Sequence, residues 1–435
     1  MAILAPAFVA LFFWTPPGWA PALGWAPRIR DHFLWLVPAN GCCGPGPAGF
    51  RTTGLLLLMA MWGSYLFGLR TLAGISEPAL RQRAWRVVMA VSVATQALLI
   101  FLPPLLSEDL YHYALFGRMV SHYGLNPAIT PGDAIARDPL WAFANWTDMP
   151  THYGPTFTWL SALVTTIAGG SVYGTAVAFK TMAVLFNIAS TWAILRLARE
   201  RGDGDGDGIG AAALWAWNPM VLIETASSGH NDAVMVGLAL LGLLLLQRGR
   251  PAPGFLLLLA SATVKFVTGS VLGLFLVHHV FQAPTARVGL RRAVGMGGLL
   301  LLVLVLLYLP FWGGRAGFGA TIDLLSTGKS ALTGSAAPLL ARLSQAVFVV
   351  CFLVALVAAA RAEWAALFVM ASAVMLLFVL FVFSWHLPWY AMAGLAVTVA
   401  GPRTRANRML LATALLMAYA LSNPYAVLVS SAPSP

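Results

Sequence analysis

Apolar residues gather along this chain into thirteen segments, at 3–19, 54–71, 87–106, 173–195, 210–226, 233–247, 253–267, 268–282, 293–311, 337–359, 364–383, 387–401 and 408–430. They predict helices, but several fall short of the ~20 residues that a straight membrane span needs. One further run, 156–170, ends in Gly169-Gly170 and is too short to cross, which predicts an interfacial or re-entrant helix. Between 107 and 155 the apolar pattern lapses into nearly fifty residues rich in Gly, Pro, Asn, Trp, Tyr and His. Long ordered loops of this kind are usually functional.

Composition turns this pattern into a class. The 435 residues are 59% hydrophobic and 9% charged, with mean hydropathy +0.80, so the expected fold is an all-α polytopic membrane protein of about thirteen transmembrane helices. The formal net charge of +11 invites a nucleic-acid reading, but the basic residues mark short loops and form no single patch. Arg70, Arg81, Arg83 and Arg86 share one loop and Arg196, Arg199 and Arg201 another. Arg248 and Arg250, then Arg287, Arg291 and Arg292, then Arg361, then Arg403, Arg405 and Arg408 follow. The positive-inside rule makes these loops cytoplasmic and leaves 107–172, 227–232, 312–336 and 384–388 outside, with 312–336 a second extracytoplasmic loop. An odd number of crossings must then lie between Pro155 and Arg196.

Several segments carry little chemistry. The N-terminus has no basic n-region or clean cleavage site, so it reads as a retained first helix. Cys42, Cys43 and Cys351 make neither a disulfide framework nor a metal set. Gly202-Asp203-Gly204-Asp205-Gly206-Asp207-Gly208 begins like a calcium loop, yet Leu214 stands where the bidentate Glu belongs, and a flexible inner linker is expected. No Walker loop, HExxH pair or GxSxG elbow is present, so function is sought on the outer face.

There Glu108 and Asp109 stand side by side at the end of an apolar segment, where ionised groups are costly unless used. The plain alternative is a surface helix that Ser107 caps, with the acids favoured by the helix dipole. Lys265 and Lys180 fall inside predicted spans; Lys265 either serves a site or snorkels to the interface, and Lys180 is expected to pair with an acid or snorkel. His230 and Asp232 either orient one another at an outer turn or belong to a helix cap. Tyr111, Tyr153, Trp389 and Tyr390 either stack on a ligand or form the interfacial belt of any membrane protein.

The order of motifs favours the functional readings. Asp109-Leu110-Tyr111-His112-Tyr113, Gly117-Arg118, Gly124-Leu125-Asn126-Pro127, Asn145-Trp146 and Tyr153-Gly154-Pro155 are followed by Trp217-Asn218-Pro219, Glu224 and Gly229-His230-Asn231-Asp232. Lys265 and Trp385-His386-Leu387-Pro388-Trp389-Tyr390 complete the set. This series resembles the outer-loop signature of GT-C glycosyltransferases, and in particular the bacterial polyprenol-phosphomannose-dependent α-1,6-mannosyltransferase family. Three departures stand out. His112 and Phe116 occupy places where an arginine and an acid are expected, and Ala128 follows Asn126-Pro127 where an aromatic is usual.

The resemblance implies an inverting transferase that moves a hexose, mannose first, from a polyprenyl-monophosphate donor to a glycan or glycolipid acceptor. It would sit in a bacterial inner membrane with its active site facing outward. Asp109 heads the motif and is expected to be the general base, with Glu108 as the alternative. Lys265, His230 and Arg118 are expected near the donor phosphate. Tyr111, Tyr113, Asn126, Asn145, His152, Tyr153, Asp232, His386, Trp389 and Tyr390 are expected to contact sugar or acceptor. Enzymes of this type resemble metal-independent transferases, so no cofactor is expected beyond the lipid-linked co-substrate. The competing class is a transporter or lipid flippase, whose charges would lie mid-membrane between repeated halves. Arabinose, glucose or aminoarabinose transfer is the competing reaction. Convergence of Asp109, His230 and Lys265 in one cavity is what separates enzyme from transporter.

Overall fold

The computed structural model describes residues 3–7, 47–104, 107, 109–202, 208–314, 337–382 and 387–421. Most of the predicted first helix, Cys42, Cys43, Glu108, the aspartates of 203–207, most of the 312–336 loop, His386 and the chain beyond 421 lie outside these residues.

Among the described residues the regular structure is helical throughout. In chain order the main helices are α1 (Pro47–Ala73), α2 (Pro78–Ile100), α3 (Asp109–Ser121), α4 (Pro155–Ala168), α5 (Val172–Arg201), α6 (Ile209–Ala216) and α7 (Pro219–Leu222). After a π-helical turn, Ile223–Ser227, come α8 (Asp232–Gln247), α9 (Pro251–Ala262), α10 (Gly269–Phe281), α11 (Ala286–Tyr308), α12 (Ala337–Ala359), α13 (Trp364–Phe381), α14 (Ala391–Ala400) and α15 (Arg405–Leu421).

Six of these are long and apolar enough to cross a membrane: those spanning Thr53–Ala73, Pro78–Ile100, Val172–Arg201, Ala286–Phe311, Arg342–Ala359 and Trp364–Phe381. A seventh crossing arises if the pair Pro219–Ser227 and Asp232–Gln247, bent by 115°, counts as one broken span. The segments expected at 253–267, 268–282 and 387–401 form the short helices α9, α10 and α14 instead. All ten residues of α14 are buried, so its all-round apolarity marks a core helix, and at roughly 15 Å it reaches only about half a bilayer core. The short run at 156–170 forms α4, a 14-residue helix that packs along α3.

Several polar side chains inside the bundle find partners within it, as lipid surroundings favour. Asn187 on α5 donates to Gln96 Oε1 on α2 at 2.8 Å and accepts from Trp215 Nε1 on α6 at 2.7 Å. Among the described residues Lys180 pairs with no acid: it is fully buried and donates to the carbonyls of Leu102 at 2.5 Å and Leu99 at 3.4 Å. It thereby caps the end of α2, where the helix dipole is negative.

The bundle has two chemically distinct ends. At one, Glu200 takes Arg196 at 2.8 Å and Arg248 at 2.6 Å, and Arg201 donates to the carbonyls of Ala400 and Gly401. The arginine-bearing loops gather there. At the other end α2 stops, α3 begins, and the breaks before α8, after α9 and before α14 face one another.

Candidate active site

The site is assembled at interruptions in apolar helices, where backbone polar groups and ionisable side chains leave the regular ladder. Asn218 starts α7 by accepting from the backbone N–H of Met220 and Val221, an N-cap that brings the chain into the bend. The bend turns at Gly229, whose φ of +73° suits glycine and whose missing side chain leaves space for Lys180 and Leu110. His230 follows, entirely buried, with its N–H bonded to the Glu224 carbonyl at 3.0 Å. Asp232 opens α8.

The second interruption separates α9 from α10, with Lys265 in an extended conformation. Here Tyr153-Gly154-Pro155 acquires a physical reason. Gly154 lies so close to the Thr263 carbonyl that a β-carbon would collide with it, while its N–H bonds to the Val264 carbonyl at 3.3 Å. Pro155 then begins α4, and Tyr153 is left facing Tyr113 with ring centroids 5.0 Å apart.

Asp109 sits at the start of α3, its N–H bonded to Ser107 Oγ at 3.1 Å. The capping geometry expected for a surface helix is therefore real, yet the carboxylate itself turns toward the two interruptions. Its Oδ2 lies 3.8 Å from His230 Nε2 and accepts from the Tyr113 hydroxyl at 3.3 Å. On the other side of the imidazole, His230 Nδ1 lies 2.9 Å from Glu224 Oε2, out of line for a hydrogen bond. Trp389 stacks on His230 at 3.8 Å with the rings inclined by 20°. Lys265 Nζ donates to both oxygens of Asp232, at 3.1 and 3.0 Å, and lies 4.7 Å above the Tyr390 ring. Asp109, Tyr113, His152, Tyr153, His230, Asp232, Lys265, Trp389 and Tyr390 thus form one cluster. Its most accessible carboxylate is that of Asp109, 22% exposed, against 2% for Asp232 and Glu224.

Burial holds the hydroxyls of Tyr113 and Tyr153 far above the usual phenol range, so both keep their protons as donors. Burial, with His112 close by, pushes His152 down to about 3 against the opposing pull of Asp109, and the ring is neutral.

Four expected site residues stand elsewhere. Arg118, expected at the donor phosphate, is held by Asp138 at 2.6 Å, and Asp138 also accepts from the Tyr123 hydroxyl. Nine residues after Asp109 on the same helix, Arg118 is roughly 13 Å away along the axis. Tyr111 is buried against Phe143, its hydroxyl directed at the Val172 carbonyl. Asn126 closes its own turn by accepting from Ala128 N–H. Asn145 contributes its carbonyl, which takes His112 Nδ1 at 2.6 Å.

Two residues not expected in the site belong beside it. Glu224 backs His230; its place in the Asn-Pro to Gly-His-Asn-Asp interval was the available signal. His112 sits one turn after Asp109 with its ring 5.6 Å from that of His152. Its departure from the family pattern was the signal there.

These observations define a polytopic all-helical membrane protein with a carboxylate–histidine–lysine site at one end of the bundle. Over residues 47–283, more than half of the chain, it matches the family model described as alpha-(1->6)-mannopyranosyltransferase, N-terminal domain. The chain belongs to this alpha-(1->6)-mannopyranosyltransferase family. It is 29% identical over 251 residues to alpha-(1->6)-mannopyranosyltransferase A of Corynebacterium glutamicum, a match covering 56% of this chain and 46% of that protein. It is 30% identical over 248 residues to the protein of the same name from Mycobacterium tuberculosis, covering 55% and 44%. Alpha-(1->6)-mannopyranosyltransferase B of Corynebacterium glutamicum is 27% identical over 152 residues, covering 34% and 24%. The matched stretch spans less than half the length of each of these relatives.

Proposed function

We propose that the chain is an inverting mannosyltransferase that takes mannose from a polyprenyl-monophosphate carrier and passes it to a hydroxyl of a glycan or glycolipid on the extracytoplasmic side of the bacterial inner membrane. The observation that carries this reading is the convergence of Asp109, His230, Asp232 and Lys265 at one end of the bundle, opposite the arginine-bearing loops. A translocation pathway would instead distribute its charges through mid-membrane.

In this reading Asp109, the most accessible carboxylate of the cluster, removes the proton of the acceptor hydroxyl as its oxygen attacks the anomeric carbon. The bond to the phosphate breaks as the new glycosidic bond forms, and a single displacement inverts the anomeric centre. His230 and Lys265 stabilise the departing phosphate, with Asp232 holding Lys265 in place until the anion arrives. Trp389 and Tyr390 provide apolar faces for a sugar ring. The names of the relatives support mannose as the transferred sugar.

The test is transfer by purified protein from polyprenyl-phosphate mannose and from the corresponding arabinose, glucose and aminoarabinose donors, comparing wild type with Asp109→Asn. Mannose is expected to be the donor used, and the variant is expected to lose about 10²–10⁴-fold in turnover. Undiminished transfer by Asp109→Asn removes Asp109 as the base.

A further inference from the structure

At the arginine-bearing end a cavity of about 50 Å³ opens between α5, α6, α14 and α15, with Arg201, Gly208, Gly401, Arg403, Asn407 and Arg408 in its lining. One water needs roughly 10–15 Å³, so a group the size of a phosphate has room. Glycines shape the walls. Gly208 takes a φ of +69° and lies so close to the Leu195 carbonyl that a β-carbon would collide with it. Gly401 leaves space for the Asn407 amide, whose Nδ2 donates to the Thr398 carbonyl at 2.8 Å and so ties the start of α15 to the end of α14.

The charge set around this cavity is positive. Arg201 is fixed by its Nη2 bonds to the carbonyls of Ala400 and Gly401, at 2.6 and 3.1 Å, and by the Phe368 ring, whose centroid lies 5.1 Å from its guanidinium carbon. These three groups are neutral, so they hold the guanidinium without cancelling its charge. Arg403 stands two residues before α15 and Arg408 in its first turn, both exposed. The helices α6 and α15 both start here, and their N-terminal ends add partial positive charge. None of the described residues lining the cavity is acidic, and Glu200, beside Arg201 in the chain, is taken by Arg196 and Arg248. Guanidiniums gathered round one cavity repel one another, and an anion set among them relieves that repulsion.

We propose that this cavity binds a phosphate group, supplied by the headgroup of an anionic phospholipid. Guanidinium forks match phosphate oxygens two at a time, and basic pockets between membrane helices take such headgroups. The surroundings suit a lipid: α15 continues from the cavity with Met409 and Leu416 exposed, an apolar wall for acyl chains. The site lies at the opposite end of the bundle from Asp109 and is independent of the mannosyltransfer reading.

The experiment titrates the purified full chain in neutral detergent with dioleoyl phosphatidylglycerol, dioleoyl phosphatidylcholine or inorganic phosphate. Unfolding temperature and native mass spectrometry of the intact protein read binding. Phosphatidylglycerol is expected to bind and to raise the unfolding temperature, by an amount that shrinks in high salt, and phosphatidylcholine is not. Arg403→Gln/Arg408→Gln is expected to weaken phosphatidylglycerol binding roughly 10- to 30-fold for the two cations removed. Arg287→Gln/Arg291→Gln, at exposed arginines of α11 outside the cavity lining, is expected to leave it unchanged. An equal loss in both double variants overturns the proposal, because general attraction to a basic surface then suffices. Equal stabilisation by phosphatidylcholine overturns it, and so does binding of none of the three. Inorganic phosphate that matches phosphatidylglycerol at equal concentration overturns the lipid assignment in favour of a free phosphate. Asp203, Asp205 and Asp207 follow Arg201 in the chain. Binding that appears only in Asp203→Asn/Asp205→Asn/Asp207→Asn also overturns the proposal, since the cavity then belongs to the chain's own acids.

Discussion

Lys180 and Lys265 are both lysines carried by apolar helices, and the structure gives them opposite employment. Lys265 lies at a helix interruption, with its ammonium held by both oxygens of Asp232 and set over the Tyr390 ring. Lys180 lies mid-helix with no acid partner among the described residues, and its hydrogen bonds go to the carbonyls of Leu99 and Leu102 at the end of α2. A cation on a carboxylate can exchange that partner for an incoming anion. An amine that completes a helix end cannot leave without exposing the backbone groups it satisfies.

The largest expected effect is therefore at Lys265. Lys265→Met is expected to reduce the proposed mannosyl transfer by about 10²–10³-fold. It also strands Asp232, 2% exposed, as a buried charge without its cation, at a cost of about 3–5 kcal/mol. The double variant Lys265→Met/Asp232→Asn should regain thermal stability in detergent and remain slow. Recovery of transfer along with stability would show that Lys265 is structural after all, and the contrast with Lys180 would be lost.

Lys180→Met is expected to do the reverse. The Leu102 carbonyl loses its donor in the protein interior, costing roughly 1–3 kcal/mol, read as a lower unfolding temperature. Turnover per folded molecule should stay at the wild-type level. A turnover deficit as large as that of Lys265→Met would move Lys180 into the site, a move for which its passage beside Gly229, where a β-carbon would lie 3.3 Å from Lys180 Cγ, provides a route.

The two lysines also show what could be read in the chain. Lys265 falls into a series of motifs whose order resembles a family, so its company on one face is legible in the sequence. Lys180 matched no motif, and its partners are backbone carbonyls that no side-chain pattern reports. Breaks were legible where glycine, proline or asparagine punctuate apolar runs, as at Gly154-Pro155 and Asn218-Pro219. Apolarity alone did not separate membrane-exposed helices from the buried α14, because both present the same residues to an apolar surrounding. Arg118 illustrates a further limit. Its motif neighbours lead to the site, but its side chain is claimed by Asp138, twenty residues on and across the loop.

A smaller effect separates the loop side of the site from its lysine side. His152 is neutral in the folded protein down to about 3, whereas an unfolded histidine protonates near its ordinary value of 6.5. Between those values the unfolded state binds more protons, so stability falls as pH drops from about 6.5 toward about 3. His152→Phe should flatten that part of the unfolding-temperature profile and leave the neutral region little changed. An unaltered acid limb would mean that other groups set it.

The smallest effect is expected at the arginine-bearing end. Glu200 is gripped by Arg248 through two N–H groups, Nη2 to Oε1 at 2.6 Å and Nε to Oε2 at 3.0 Å, and by Arg196 one turn earlier. This is better ion-pair geometry than any contact Asp109 makes. Yet the side chains are 25–38% exposed, so water and salt already screen what the geometry offers. Glu200→Gln should lower stability by no more than about 1 kcal/mol, with the difference shrinking in high salt, and should leave transfer unchanged. A fall in transfer from this variant would mean that the two ends of the bundle communicate. Burial beside an apolar core, rather than closeness of charge, is what gives the cluster around Asp109 its weight.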